Sequence, residues 1–256
     1  SDFPFVLDLD LFRDFDGRIK HNFDLTKLKT GFPSVYIDRK NGNSSNDGLT
    51  ESTPVSSLKR ALEIANSLPD NTVNIVFMNK WVDYGVYGSA GDPTTWTLNK
   101  NINLVSKFSD GSYIFTGNPT YNFTWTLETG TVYKTTRSAA QQVFDYKFKD
   151  FRGRPRALTK VNTLAECQSK RGTWYTNGST VYVNRLDGST PDEDVAILLP
   201  IDTQFTFNIN GYTLFFDNVH FWMRTNTITV SAISINGDAN SRFIANKSSA
   251  CYAKMN

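Results

Sequence analysis

Two stretches concentrate the residue types that recognise sugars. In Asp217-Asn-Val-His-Phe-Trp-Met-Arg224, His220, Trp222 and Arg224 recur at every second position. On an extended strand they share one face, opposite Val219 and Phe221. A Trp ring stacks on the apolar side of a pyranose, while His220, Arg224 and Asp217 offer hydrogen bonds to hydroxyls or a uronate. Trp81-Val-Asp-Tyr-Gly-Val-Tyr87 follows the first long strand, where a loop is expected, and its aromatics with Asp83 form a second candidate shelf. Each set has a plainer reading. Trp222 with His220 is then ordinary packing, and the stretch after Trp81 is cover for the end of the fold.

Cleaving a glycan by acid–base chemistry needs two converging carboxylates. Asp83, Glu128, Asp145, Asp202, Asp217 and Asp238 are available, and their spacing selects no pair. Other chemistries lack material. With two histidines and two cysteines, neither a metal site nor a cofactor is expected, and Cys167 and Cys251 read as buried free thiols. Asp14-Phe-Asp-Gly17 reads as a turn; Phe12 stands where a calcium loop needs an Asp. There is no Gly-x-Ser-x-Gly elbow and no phosphate loop ending in Lys-Ser/Thr. Lys+Arg 27 against Asp+Glu 25 leaves a net charge of +2, too weak a field to imply nucleic acid. The basic run Lys147–Arg156 reads as a solvated loop, and no apolar run approaches the roughly 20 residues of a membrane helix.

These residues sit in a chain of short β-prone segments. Val35-Tyr-Ile-Asp38 is a strand, followed by the polar loop Arg39-Lys-Asn-Gly-Asn-Ser-Ser-Asn-Asp-Gly48. Ser52-Thr-Pro54 is the expected start of a helix, with Leu58, Ala61, Leu62 and Ala65 on one face. Leu68-Pro-Asp-Asn71 ends it, and Thr72–Met78 is a strand. Short strands recur over 99–127 and 201–245, with coils of about 20–25 residues expected. Between them, Trp125–Thr135 and Gly172–Val183 read as hairpins, the latter turning at Asn177-Gly178, with Trp174 in a core. Leu164–Gln168 reads as a helical turn.

The opening order (Tyr36-Ile-Asp38, the Asn-Gly-Asn loop, the Thr-Pro helix, then a strand) resembles the entrance to right-handed parallel β-helix proteins of the pectate-lyase-like kind. The segment "Thr-Lys-Val…Leu-Ala-Glu-Cys…Gly-Thr-Trp-Tyr…Val-Tyr-Val", from Thr159 to Val183, resembles a small β-rich insertion between early coils of such proteins. The resemblance implies an all-β fold: a right-handed parallel β-helix with an N-terminal capping helix and a β-rich insertion. It divides the chain into an attachment arm (1–31), the β-helix entrance (32–120), the insertion (121–200) and further coils (201–256), which are expected to continue past Asn256. The function it implies is part of a phage tail spike or fibre that contacts a cell-surface polysaccharide. Such a protein resides in the virion tail, forms a homotrimer, and meets other tail proteins through the arm, with no nucleic-acid or membrane partner. A secreted polysaccharide lyase or glycoside hydrolase is the alternative, and a structural virion protein without glycan affinity a third.

Overall fold

The structure, a computed structural model, describes residues 11–13, 19–21, 24–83, 95–115, 123–150, 153, 155–198, 205–223 and 233–252. At 11–13, 19–21, 81–83, 115, 205, 222–223 and 250–252 only the backbone is described.

Strands β1 (Leu11–Arg13) and β2 (Ile19–His21) pair antiparallel. A 3-10 turn, Leu25–Lys29, follows, capped by Asp24, whose side chain accepts from Thr26 N. The Asp14–Gly17 turn lies outside the described residues. Strand β3 (Ser34–Ile37) then leads into the polar loop. Asp38 organises that loop: its carboxylate accepts from Lys40 N and Asn41 N, each at 2.9 Å, and from Asn79 Nδ2 at 3.0 Å. Burial would raise its pKa, but these hydrogen bonds outweigh it and hold the group below the ordinary carboxylate range. Gly42 is dictated by space, since a Cβ there would stand 2.3 Å from Asp38 O and 2.4 Å from Val55 O.

Helix α1 runs Leu58–Ser67. It starts later than the Thr-Pro signal suggests. Val55 instead bridges Ile37 in parallel and covers the edge of β3, and Ser57 becomes the cap, accepting from Arg60 N at 3.1 Å. Leu58, Ala61, Leu62, Ile64 and Ala65 are buried, the face that the spacing specifies plus Ile64. The next strands are β4 (Thr72–Phe77), β5 (Trp81–Asp83), β6 (Thr95–Thr97), β7 (Asn101–Ser106) and β8 (Ser112–Phe115). Strands β9 (Thr126–Thr129), β10 (Val132–Thr136), β11 (Gln142–Lys149), β12 (Pro155–Ala157) and β13 (Thr159–Lys160) precede helix α2 (Leu164–Ser169), with β14 (Thr173–Thr176), β15 (Thr180–Asn184) and β16 (Val195–Leu198) after it. The chain then returns to β17 (Phe205–Asn208), β18 (Thr213–Asp217), β19 (Val219–Met223), β20 (Ile233–Asn236), β21 (Arg242–Asn246) and β22 (Ser249–Tyr252).

Three sheets are wholly parallel, ordered β21-β18-β7-β4-β3, β22-β19-β8-β5 and β20-β17-β6. Each full pass of the chain adds one strand to each sheet, as β17, β18 and β19 do. The fold is therefore β-rich with parallel sheets, as expected. The pass is longer than the expected 20–25 residues. Asn74 and Asn103, hydrogen-bonded on adjacent strands, are 29 positions apart, and so are Asp217 and Asn246. The corner after β18 uses Asn218 at φ 59°, and the next one uses Lys247 at φ 49°.

Inward residues form rows across the strands. Val73, Ile102 and Leu214 are paired in one row; Ile75, Leu104 and Phe216 in the next. All are buried in the main core with α1, Ile114 and Phe221, each large side chain contributing about 1.5–3 kcal/mol. On the other face of the same sheet, Asn103 Nδ2 donates to Leu28 O and Asn74 Nδ2 to Lys29 O. Lys29 also pairs with the carboxylate of Asp217. The 24–30 stretch is thus bound to this parallel sheet.

Strands β9–β16 form two further sheets, β13-β14-β15-β10-β9 and β12-β11-β16. The second is buried on both sides. Val143, Val195 and Ile197 pack with Trp174, Val181 and Val183; Phe144, Tyr146, Ala196 and Leu198 pack on Tyr113 of β8. This explains the unbroken apolar character of β16. Asp145, fully buried, makes a two-pronged pair with Arg185, Nε to Oδ2 and Nη2 to Oδ1 each at 2.8 Å.

Candidate functional site

Four of the six candidates chosen from the sequence meet on one sheet. Trp81 and Asp83 lie in β5, His220 and Trp222 in β19, and β8 runs between them. The register places Trp81, Tyr113, His220 and Ser249 level with one another, and Asp83, Phe115, Trp222 and Cys251 two positions on. The side chains of Trp81, Asp83, Trp222 and Cys251 lie outside the described residues, as does Arg224 altogether. Asp217 belongs elsewhere. It sits in β18, beyond the Asn218 corner, where its buried carboxylate is held by Lys29 and accepts from Asn246 Nδ2 at 2.7 Å.

His220 faces away from Val219 and Phe221, which are in the core. Its ring stacks on Tyr113, centroids 4.5 Å apart and planes 21° apart. Its Nδ1 shares a hydrogen bond of 2.9 Å with Ser249 Oγ. Gly111, at φ 92°, leaves the space for it: a Cβ there would stand 2.7 Å from His220 Nε2. Tyr113 meets Tyr146 edge to face at 5.4 Å, and the Tyr146 hydroxyl donates to Lys80 O at 3.0 Å. The β12-β11-β16 sheet therefore seats on the face that the strand alternation alone suggests is open.

The charges around this seat are unequal. Lys149 Nζ lies 3.9 Å from the Tyr146 ring centroid. It is buried without a hydrogen bond among the described residues, and Asp110 Oδ2 stands 3.6 Å away. Asp110 also pairs with Lys80 at 3.2 Å. Burial and the Lys80 cation push the Lys149 pKa down, against Asp110. Burial, then Lys149, lowers His220 to about 4, so the imidazole is neutral near pH 7. Burial, then Asp192, raises Asp194. Lys149 thus departs from the solvated loop read over Lys147–Arg156: the stretch opens as the end of β11, packed against β8. Its Asp110 and Tyr113 partners are remote in sequence, and no local pattern announces them.

The candidate acids do not converge among the described side chains. Asp145 is taken by Arg185 and Asp217 by Lys29. Glu128 pairs with Lys134 at 2.7 Å, and Asp238 accepts from Ser241 Oγ and Asn240 N, each at 2.9 Å. Asp202 and the Asp83 side chain lie outside the described residues. Cys167 is a buried free thiol, its pKa raised by burial. Trp174 is fully buried, as its hairpin predicts.

No family model matches the chain, and no curated protein matches it. Two solved structures are similar. One is XylC in complex with xylose, at 11% identity over 75% of this chain and 39% of that one, TM-score 0.36. The other is a glycoside hydrolase, at 11% identity over 73% of this chain and 51% of that one, TM-score 0.41. The chain spans about two fifths and half of their respective lengths.

Proposed function

We propose that this chain is part of a tail spike or fibre whose coils close into a right-handed parallel β-helix and contact a cell-surface polysaccharide. The observation carrying the reading is the meeting of Trp81 and Asp83 with His220 and Trp222 on one parallel sheet, level by level, although some 140 positions separate the two sets. A ladder of aromatic and polar positions along a solenoid face follows an extended glycan better than a single pocket does. The resemblance of the opening segment supports the spike assignment. In this reading 1–31 attaches to other tail proteins, 32–120 and 201–256 form the coils, 121–200 is the insertion, and three copies assemble in the virion. His220 holds the insertion on the coils, while Trp222, Arg224, Trp81 and Asp83 meet the sugar.

Incubation with purified host-surface polysaccharide tests this. Binding without cleavage, lost in Trp222→Ala with Arg224→Ala, is the expected result. New reducing ends or unsaturated uronates would instead assign a hydrolase or lyase. No binding and no cleavage would leave a structural component and overturn the reading.

A further inference from the structure

The insertion carries an aromatic surface of its own. In the β13-β14-β15-β10-β9 sheet, Trp174, Val181 and Val183 are fully buried on one side. The alternation puts Tyr175 and Tyr182 on the other. They are directly opposed on β14 and β15, half-exposed, with ring centroids 5.6 Å apart and planes 29° apart. Next to Tyr182 across the sheet is Lys134, paired with Glu128 at 2.7 Å with side chains 42% and 25% exposed. Thr180 and Thr136 oppose one another on the same face. Helix α2 packs beside the pair: Thr173 Oγ1 and Asn184 Nδ2 donate to Cys167 O, and the Cys167 thiol lies 3.9 Å from the Tyr182 backbone O, so the helix meets the backbone of Tyr182 while both rings remain half-exposed.

We infer that Tyr175 and Tyr182 form a second glycan-binding platform, on the insertion, for uncharged hexopyranose chains. This rests on the glycan-contact reading above. An aromatic pair offers the flat apolar surface on which the C–H face of a pyranose packs. The threonine hydroxyls and the Lys134–Glu128 pair at its margin supply donors and acceptors for sugar hydroxyls. Because those two charges cancel, the platform suits a neutral sugar better than a polyanion. A cross-strand tyrosine pair also stabilises a hairpin, and the test separates the two roles.

The probes are soluble neutral oligosaccharides of glucose, mannose and galactose, alongside the intact host polysaccharide, titrated by calorimetry. Tyr175→Thr and Tyr182→Thr keep strand-forming residues on an outward face. Each is expected to weaken binding about tenfold or more, equivalent to about 1.4 kcal/mol, while Tyr175→Phe and Tyr182→Phe retain it. A purely structural pair would lower the Tm of the Thr variants and leave affinity unchanged, which overturns the platform. Iodination mapped by mass spectrometry needs no variant: bound sugar should protect Tyr175 and Tyr182, and unchanged labelling also overturns it. If the Thr variants bind normally but Trp222→Ala does not, the platform fails and the coil-face reading stands. The converse result sinks the coil face alone, and a wild-type protein that binds none of the probes sinks both.

Discussion

At the residue scale, the environment of His220 converts a candidate ligand into a pH-dependent support. Its pKa of about 4 lies below the ordinary 6.5, because burial and the Lys149 cation penalise the imidazolium. Between those values the unfolded chain binds the proton more readily than the folded one. Stability is therefore complete above about pH 6.5 and falls as the pH drops toward 4. At about 1.4 kcal/mol per pH unit, this costs at most ~3.5 kcal/mol, less what residual exposure screens. The Tm of the wild type should drop more between pH 7 and pH 4.5 than that of His220→Gln. Equal drops would remove His220 from this role. That His220 turns away from Val219 and Phe221 is legible in the alternation. Its stack on Tyr113 and its bond to Ser249 are not, since those partners come from neighbouring passes of the chain.

At the element scale, the bridging strand β11 shows where local pattern stops being informative. Val143-Phe-Asp-Tyr146 lies within this strand, while Gly172–Val183 reads correctly as a hairpin around Asn177-Gly178. An aspartate inside the first segment suggests a surface position or a catalytic acid, yet Asp145 and Arg185 are both fully buried and bonded to each other. Arg185→Ala would strand the carboxylate away from water, at a cost of about 3–5 kcal/mol. Chemical denaturation followed by tryptophan fluorescence should show that loss. Replacing both partners together, with Arg185→Met and Asp145→Leu, should cost less than the single change. A single variant as stable as the wild type would show that the pair does not hold the insertion. The helix start teaches the same lesson more mildly. Pro54 signals an N1 position, but Val55 is needed to cover β3, so the cap moves to Ser57.

At the scale of the whole molecule, the parallel sheets join segments that β9–β16 separate widely. Thr213 N donates to Asn101 Oδ1 across 112 positions, and Lys29 reaches Asp217 across 188. Such pairings must close long loops before any contact offsets the entropy, which slows folding. Refolding from denaturant should show a main phase in the range of seconds or slower, by fluorescence after mixing. Completion within about a millisecond would contradict the long-range topology. The same separation is why the 29-residue spacing reads so weakly in the sequence: the interval between the paired strands β7 and β18 contains all of β9–β16.

Composition, period-two alternation, turn residues and a helical apolar face are properties of neighbouring positions. By themselves they determined a β-rich chain, one early helix packed by Leu58, Ala61, Leu62 and Ala65, two hairpins in the middle, and a return to short strands. The register of parallel strands depends on which distant segments stack, and on where an inserted sheet turns back to lie. Only the tertiary structure decided that Trp81 lies level with His220, that Tyr146 covers Tyr113, and that Lys29 holds Asp217. The physical reason is that burial and electrostatic pairing are settled by contact through space, which local sequence pattern does not encode.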